Sequence, residues 1–298
     1  MLLTSFKTTL IARPIYLYSM FQVKTMRAKD HAFATQLANT MHWNMAPEDF
    51  QFMALLEPEG CFVLFDGSKR VGIATCVSYG KVGWFGNLIV QEDYRHRRAG
   101  RTLVTHAVDY LTDKGTQTIG LYAYQHLSQF YESLGFKLDE DFSVLQKEHF
   151  GYITAKTLPA VGKQQLSSIN RLDSQCFGGD RKKLLESIVL KKGNACYYVS
   201  NNSDLIGYVA ATIYKSMAWI GPLVCQATRN DVANLLINAA LTKAEGKSVY
   251  AVVSKKEVAL LELFFSLGFK EEFFVSRMFL GEKPARNCIY LAESLERG

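Results

Sequence analysis

Residues 61–91, CFVLFDGSKRVGIATCVSYGKVGWFGNLIVQ, recur in outline at residues 196–226, CYYVSNNSDLIGYVAATIYKSMAWIGPLVCQ. At a constant offset of 135, Cys61 meets Cys196, Gly72 meets Gly207, Trp84 meets Trp219, Gly86 meets Gly221, Leu88 meets Leu223 and Gln91 meets Gln226. Further on, SLGFK stands at Ser133–Lys137 and again at Ser266–Lys270, an offset of 133, so two residues are lost between the two blocks. Similar hairpins that merely share Trp and Gly would not keep one register over so long a span. The chain therefore contains one fold twice, as expected of an internal repeat.

Each copy has the same pattern. In the first, Phe21–Arg27 reads as a strand, residues 29–41 and 46–56 as helices, and Phe62–Phe65 as a strand turned by Asp66-Gly67 into a second over Val71–Ser78. A third strand covers Trp84–Val90. Leu103, Ala107, Tyr110 and Leu111 form one apolar stripe at helical spacing, Thr118–Ala123 returns as a strand, and Leu127, Phe130, Tyr131 and Leu134 mark another helix closed by Gly135. The second copy repeats this with Val232, Leu235, Leu236 and Ala239, then Leu260, Leu263, Phe264 and Leu267, closed by Gly268. Meandering strands, a helix, a strand, a helix and a closing hairpin predict two tandem α/β domains, each with a mixed sheet of the α+β kind. The expected divisions are residues 1–20 as a leader or extension, 21–149 as the first domain and 150–298 as the second, with the boundary near Phe150-Gly151.

Composition narrows the function classes. The 298 residues are 48% hydrophobic and 21% charged, ordinary for globular cores, and no uninterrupted apolar run reaches the ~20 residues of a spanning helix. A soluble chain without a membrane partner is expected. Of the net charge of +6, four units come from Lys7, Arg13, Lys24 and Arg27 in a stretch free of acid, leaving +2 for the rest. That balance, with no aromatics interleaved on a basic face, argues against nucleic acid. The six cysteines (Cys61, Cys76, Cys176, Cys196, Cys225, Cys288) show no CxxC pairing and read as small buried hydrophobes of a reducing compartment, not as disulfides or a metal site. The leader MLLTSFKTTLIARPIYLYSM has basic residues, hydroxyls and no carboxylate. It reads either as an extension of a cytoplasmic protein, ahead of a start at Met20 or Met26, or as a presequence for the mitochondrial matrix.

The stretch most informative about chemistry is NLIVQEDYRHRRAGRTLV at 87–104, where an apolar strand ends in a basic turn that opens a helix. Such a turn presents unpaired N–H groups and the positive end of a helix dipole to an anion. Arg95, Arg97, Arg98 and Arg101 add charge suited to a diphosphate. Taken alone, these residues are equally the solvated basic start of a helix.

The chain resembles the GNAT superfamily of acyl-CoA N-acyltransferases: YRHRRAG at Tyr94–Gly100 is similar to its pyrophosphate loop, and FYESLGF at Phe130–Phe136 to its fourth-helix signature. Both halves share the resemblance, which extends to tandem members with WFGN and the basic loop in the first half and WIGPLV, FGGDR (Phe177–Arg181) and Arg277-Met278 in the second. The resemblance implies that Leu88, Ile89 and Val90 pair through their backbone with pantetheine. It further implies that amides of His96, Arg97, Arg98, Ala99, Gly100, Arg101 and Thr102, with Arg95 beside them, hold the pyrophosphate. A strand N–H near Leu88 would polarise the thioester, and Tyr131 would protonate the departing thiolate, a role its phenol suits by remaining protonated at neutral pH. By periodicity alone Tyr131 and Leu88–Val90 are core residues. The sequence departs from the family at Arg98, where Gly is usual, and at Tyr124, where Asn is often found. No general base stands out: His42, Glu48, Asp49, His126 and a water chain all remain open.

The second copy lacks this chemistry. Its loop, Gln226–Leu235, has no glycine and carries Asp231, and Phe264 replaces Tyr131. Cys225 lies in an apolar strand without an adjacent base, so a nucleophile is not indicated. Phe177–Arg181 reads as a turn, with Asp180 capping the next helix, or as a wall of the acceptor pocket. The expectation is an N-acetyltransferase using acetyl-CoA as co-substrate and no metal, with catalysis in the first half and a structural or substrate-shaping second half. The fused second half favours a small-molecule amine over a protein lysine as acceptor. The alternative is a non-catalytic acyl-CoA sensor or scaffold.

Overall fold

The computed structural model describes residues 21–202 and 204–298, so the leader reading of residues 1–20 lies outside the described residues. The first half runs β1 (Gln22–Thr25), α1 (His31–Asn39), α2 (Pro47–Leu56), β2 (Cys61–Asp66), β3 (Lys69–Tyr79), β4 (Val82–Val90), α3 (Ala99–Asp113), β5 (Thr118–Tyr124), α4 (Ser128–Glu132) and β6 (Lys137–Lys147). The second runs α5 (Leu166–Phe177), α6 (Lys182–Val189), β7 (Ala195–Asn201), β8 (Asp204–Ile213), β9 (Met217–Gln226), α7 (Asn230–Leu241), β10 (Ser248–Ser254), α8 (Val258–Ser266), β11 (Lys270–Leu280) and β12 (Cys288–Leu291). From the two helices to the strand after the last helix the predicted order is present in both, whereas the second half has no counterpart of β1 among the described residues and adds β12. No described helix is long and apolar enough to cross a membrane.

Two features depart from the sequence expectation. First, the closing hairpins do not form. All strands join one sheet in the order β1-β2-β3-β4-β5-β11-β6-β10-β12-β9-β8-β7, so β11 of the second half lies between β5 and β6 of the first. Reciprocally, β6 pairs with β10. Each half thus donates the strand after its last helix to the other, with Arg277 of β11 opposite Tyr122 of β5. Repeated halves offer equivalent strands to equivalent edges, so the alternation that predicts a strand cannot say which copy it joins. The break near Phe150 is consequently a change of repeat, not a gap between separate sheets.

Second, Cys176 at the end of α5 and Cys288 at the start of β12 form a disulfide, with Cα atoms 6.0 Å apart, which corrects the reading of all six cysteines as free. Their 112-residue separation carries no local signal. The other four cysteines are free and buried, as read.

The cores follow from this sheet. α3 and α4 cover the outer face of the first half, α7 and α8 that of the second. Residues of α1, α2, α5 and α6 share one inner core with both halves of the sheet. The FGGDR segment seals it. Gly178 takes the left-handed conformation at the end of α5 (φ +91), and an added Cβ at Gly179 would come within 2.9 Å of the Tyr79 carbonyl. Asp180 accepts from the Lys182 amide at 2.9 Å, the expected cap. Arg181, fully buried, pairs through two nitrogens with Asp173 (2.6 and 3.0 Å) and donates to Tyr290 Oη and the Gly298 carbonyl. The turn fastens the second half to the β3–β4 hairpin of the first; its residues are structural.

Candidate active site

Strands β4 and β5 are parallel neighbours only where Val82–Trp84 face Thr118–Gly120; beyond this they carry no ladder and diverge. The other edge of β4 stays paired with β3, Ile89 opposite Ile73 and Val90 opposite Gly72, with a register shift that leaves Asn87 and Leu88 as a bulge. Asn87 has φ +50 and its side chain donates to Thr75 Oγ1 at 3.1 Å, which holds the bulge from below. Leu88, Ile89 and Val90 therefore line a slot with no strand neighbour on the β5 side, where the Val90 carbonyl accepts from Arg95 Nε. The sequence gives only an apolar strand here.

The slot opens at the basic turn. None of the amides of His96, Arg97, Arg98, Ala99, Gly100 and Arg101 has a protein acceptor within hydrogen-bond geometry, whereas Thr102 N–H bonds to the Arg98 carbonyl at 2.9 Å. These six consecutive amides, running into the first turn of a 15-residue helix, have the arrangement that suits an anion. Thr102 stands apart from them, since its hydroxyl also donates to Arg98 O. Arg98 adopts φ 67, ψ 5, the left-handed conformation that glycine would adopt without steric cost. The turn is thus retained despite the side chain.

The four arginines divide. Arg95 donates from Nε to the Val90 carbonyl at 3.1 Å and is tied to the strand end. Arg97 lies over Tyr94 (5.1 Å) near Asp66, and Arg101 reaches Ser133 Oγ at 3.1 Å. Arg98 has no side-chain partner among the described residues. A Cβ on Gly100 would stand 3.4 Å from the Phe130 ring, so α3 and α4 are in van der Waals contact at the slot's mouth.

Tyr131 projects from α4 into the outer core, 5% exposed, edge-on to Phe130 and Phe136. Its hydroxyl hydrogen-bonds to no described protein group, and burial pushes its pKa above the ordinary tyrosine value. Both the core and the acid readings are compatible with that placement: the ring packs, and the hydroxyl keeps its proton. Tyr124, in place of the family's Asn, accepts from Trp43 Nε1 at 2.9 Å and stacks on His126, joining the α1–α2 turn to the end of β5. Asp49 is used at the start of α2, where it accepts from the Ala46 amide. His42 sits in the turn after α1 with φ 59.

Sequence reasoning missed the last residues of the chain. An added Cβ on Gly86, beside the bulge, would lie 2.6 Å from the Cα of Glu296. Trp84 Nε1 donates to the Leu295 carbonyl at 3.1 Å, Tyr79 Oη to that of Arg297, and Arg297 pairs through two nitrogens with Glu293 at 2.7 and 3.0 Å. The Glu296 carboxyl, on the inner face of β4, accepts from Arg297 Nη1 at 2.5 Å. Burial raises its pKa, against the pull of Arg297, and the Glu293 and Asp49 carboxylates add to the rise. Gly86, kept at the repeat position of Gly221, was the available signal for a close approach.

The second half contrasts at every point. Its parallel pair β9–β10 also diverges, after Ile220 and Ala251, but β12 fills the gap, with Cys288–Leu291 antiparallel to Gln226–Leu223 and Leu291 opposite Val253 of β10. Asp231 is held by Arg229 at 2.8 and 2.9 Å, and Phe264 is fully buried. Burial pushes the Cys225 thiol up to about 12, which leaves it inert. Among the described residues no cluster of His, Cys, Asp and Glu could hold a metal.

The chain is similar to known proteins in sequence and in fold. Residues 27–136 match the Acetyltransferase (GNAT) family and residues 169–290 an Acetyltransferase (GNAT) domain. Over 230 residues, 74% of this chain and 79% of the relative, the sequence is 24% identical to the "uncharacterized N-acetyltransferase YitH" of Bacillus subtilis (strain 168). The fold is similar to a solved structure from Pyrococcus horikoshii, proposed to be an acetyltransferase (TM-score 0.79, 20% identity, 93% of this chain and 96% of that one). It is also similar to a tandem GNAT protein from the clavulanic acid biosynthesis pathway (TM-score 0.60, 15% identity, 87% and 98%). The chain belongs to the GNAT superfamily, carries two GNAT domains in tandem, and is an acyltransferase enzyme that takes an acyl-CoA as co-substrate.

Proposed function

We propose that the first half transfers an acetyl group from acetyl-CoA to the amino group of a small molecule by direct attack. The observation that carries this reading is the open slot beside Leu88–Val90, continuous with the six free amides of His96–Arg101, in a chain whose other slot is filled. The cradle would hold the pyrophosphate and the strand edge the pantetheine, setting the thioester at the bulge.

There a backbone N–H at Leu88 stabilises charge developing on the thioester oxygen. As the amine nitrogen bonds to the acyl carbon, Glu296 accepts the amine proton from the inner face, while Tyr131 delivers its proton to the leaving sulfur from the outer face. The C–S bond breaks as the amide forms, and solvent takes the proton from Glu296 and restores the phenol. Base and acid thus stand on opposite sides of one sheet, with the reacting atoms between. A small acceptor is favoured over a protein lysine because the final residues, α1, α2 and α5 close the inner face around Gly86.

The experiment is a thiol-release screen of amines with acetyl-CoA, run beside calorimetry. One acetyl-CoA site per chain and turnover on at least one small amine are expected. Two equivalent sites, or binding with no turnover on any amine, would overturn the assignment.

A further inference from the structure

A cleft of about 620 Å³ lies between β6, β11, the C-terminal end of β10 and the turn leading into β12. The cleft lies beside the C-terminal end of β10 in the second half. That half's slot for an acyl carrier is closed by β12, yet the cleft beside it stays open.

Its walls hold two arginines in unlike circumstances. Arg277, 4% exposed, donates from Nε to Asp139 at 2.8 Å and pairs through Nη2 with Asp139 and Glu140, but its Nη1 has no protein partner. Across the strand, the buried Tyr122 hydroxyl is also unpartnered. Arg286 has no carboxylate partner among the described residues and lies over the Tyr290 ring at 4.0 Å. Burial and the positive charge of Arg277 push its pKa below the ordinary arginine value. Arg286 is half-buried, and Glu140 and Glu257 act on it only from beyond ion-pair distance, so its guanidinium can take an anion in the cleft as a direct partner.

The remaining charges select the anion. Asp139, Glu140, Glu257 and Glu282 line the same cleft as Lys256, Lys283 and the two arginines, so the lining is balanced in sign. A dianionic phosphate would meet those carboxylates, whereas a single carboxylate matches the planar fork of Arg286 with half the repulsion. Phe279, Tyr290 and Cys288 supply apolar wall for the remainder of such a molecule.

We infer that the second half carries a binding site for a small organic carboxylate, anchored by Arg286 and backed by Arg277, separate from the acyl-transfer slot. This assignment is independent of the acceptor and of turnover.

Calorimetry of the full chain with butyrate, phenylacetate and benzoate, against butyramide, phenylacetamide, benzamide and inorganic phosphate, tests it. At least one acid should bind at submillimolar concentration, with its amide and phosphate at least tenfold weaker. Arg286→Met should weaken that acid at least tenfold while leaving acetyl-CoA binding unchanged. On the unsubstituted protein, the same acid, and not its amide, should slow phenylglyoxal modification of Arg286 read by mass spectrometry, which keeps the test decisive should Arg286→Met fail to fold. Binding by none of the acids, phosphate binding as tightly, undiminished binding by Arg286→Met, or unprotected Arg286 would overturn it.

Discussion

The β4–β5 slot of the first half and the β9–β10 slot of the second begin alike, as two parallel strands that part after three or four paired residues. One remains open beside six unpaired amides; the other is occupied by Cys288–Leu291 of the same chain. A diverging strand pair exposes main-chain donors and acceptors that must be satisfied by something. In the second half the chain satisfies them itself. In the first, an extended molecule with amide groups can do so, as pantetheine has.

The sharpest break of this contrast is Gly100→Trp. An indole at the slot's mouth, where a Cβ already meets Phe130, should abolish acetyl-CoA binding. Calorimetric retention of the site would place the cofactor elsewhere. Cys288→Ala tests what keeps the other slot closed. Losing a bridge across 112 residues costs ~5 kcal/mol on the chain-entropy account, read as a lower denaturation midpoint. Yet calorimetry should still give one acetyl-CoA site, because Ile289, Tyr290 and Leu291 remain buried in the gap. A second site appearing would show that the disulfide, not the strand, excludes the cofactor.

Tyr131→Phe separates the acid from the core aromatic. The second half accepts Phe264 at the matching place, so stability and acetyl-CoA affinity should hold while kcat falls by up to ~10²-fold, about 2.7 kcal/mol. Unchanged kcat under rate-limiting chemistry returns Tyr131 to packing alone. Glu296→Gln should lower kcat/KM by ~10-fold, below the usual ~10²–10⁴ of a positioned base because the thioester is reactive. Because Glu296 must be ionised to accept a proton and its pKa is raised, activity should decline as pH falls through that raised value. The Gln variant should lose this acid limb; persistence of the limb would assign it to another group. Arg98→Gly has the smallest effect: relief of the left-handed side chain should raise stability by about 0.5–1 kcal/mol, with acetyl-CoA affinity changed only a few-fold. A loss of stability there would mean that the Arg98 side chain supports the turn.

Much of the site was legible from particular residues. The basic turn before Gly100 opens α3 and Tyr131 of FYESLGF lies on α4, elements the sequence pattern predicts, and the second copy's different residues there, Asp231 and Phe264, were visible too. Thr102 was grouped with the cradle, but the first residue of a helix whose amide finds an i−4 partner depends on where the turn ends. Arg277 stood out only as part of a motif; its open nitrogen becomes apparent once Asp139 and Glu140 arrive from another strand.

The sequence by itself determined the repeat, the order of elements in each half, and the difference in chemistry between the two loops, because periodicity, turn residues and loop composition are local properties. Only the tertiary structure decided that β6 and β11 change places, that β12 fills the second slot, that Cys176 meets Cys288, and that Glu296 comes to rest on Gly86. Each of these joins residues far apart in the chain, and an alternating strand or a buried cysteine fits many partners equally well. Which partner it finds is fixed by which edges and faces the rest of the fold leaves uncovered.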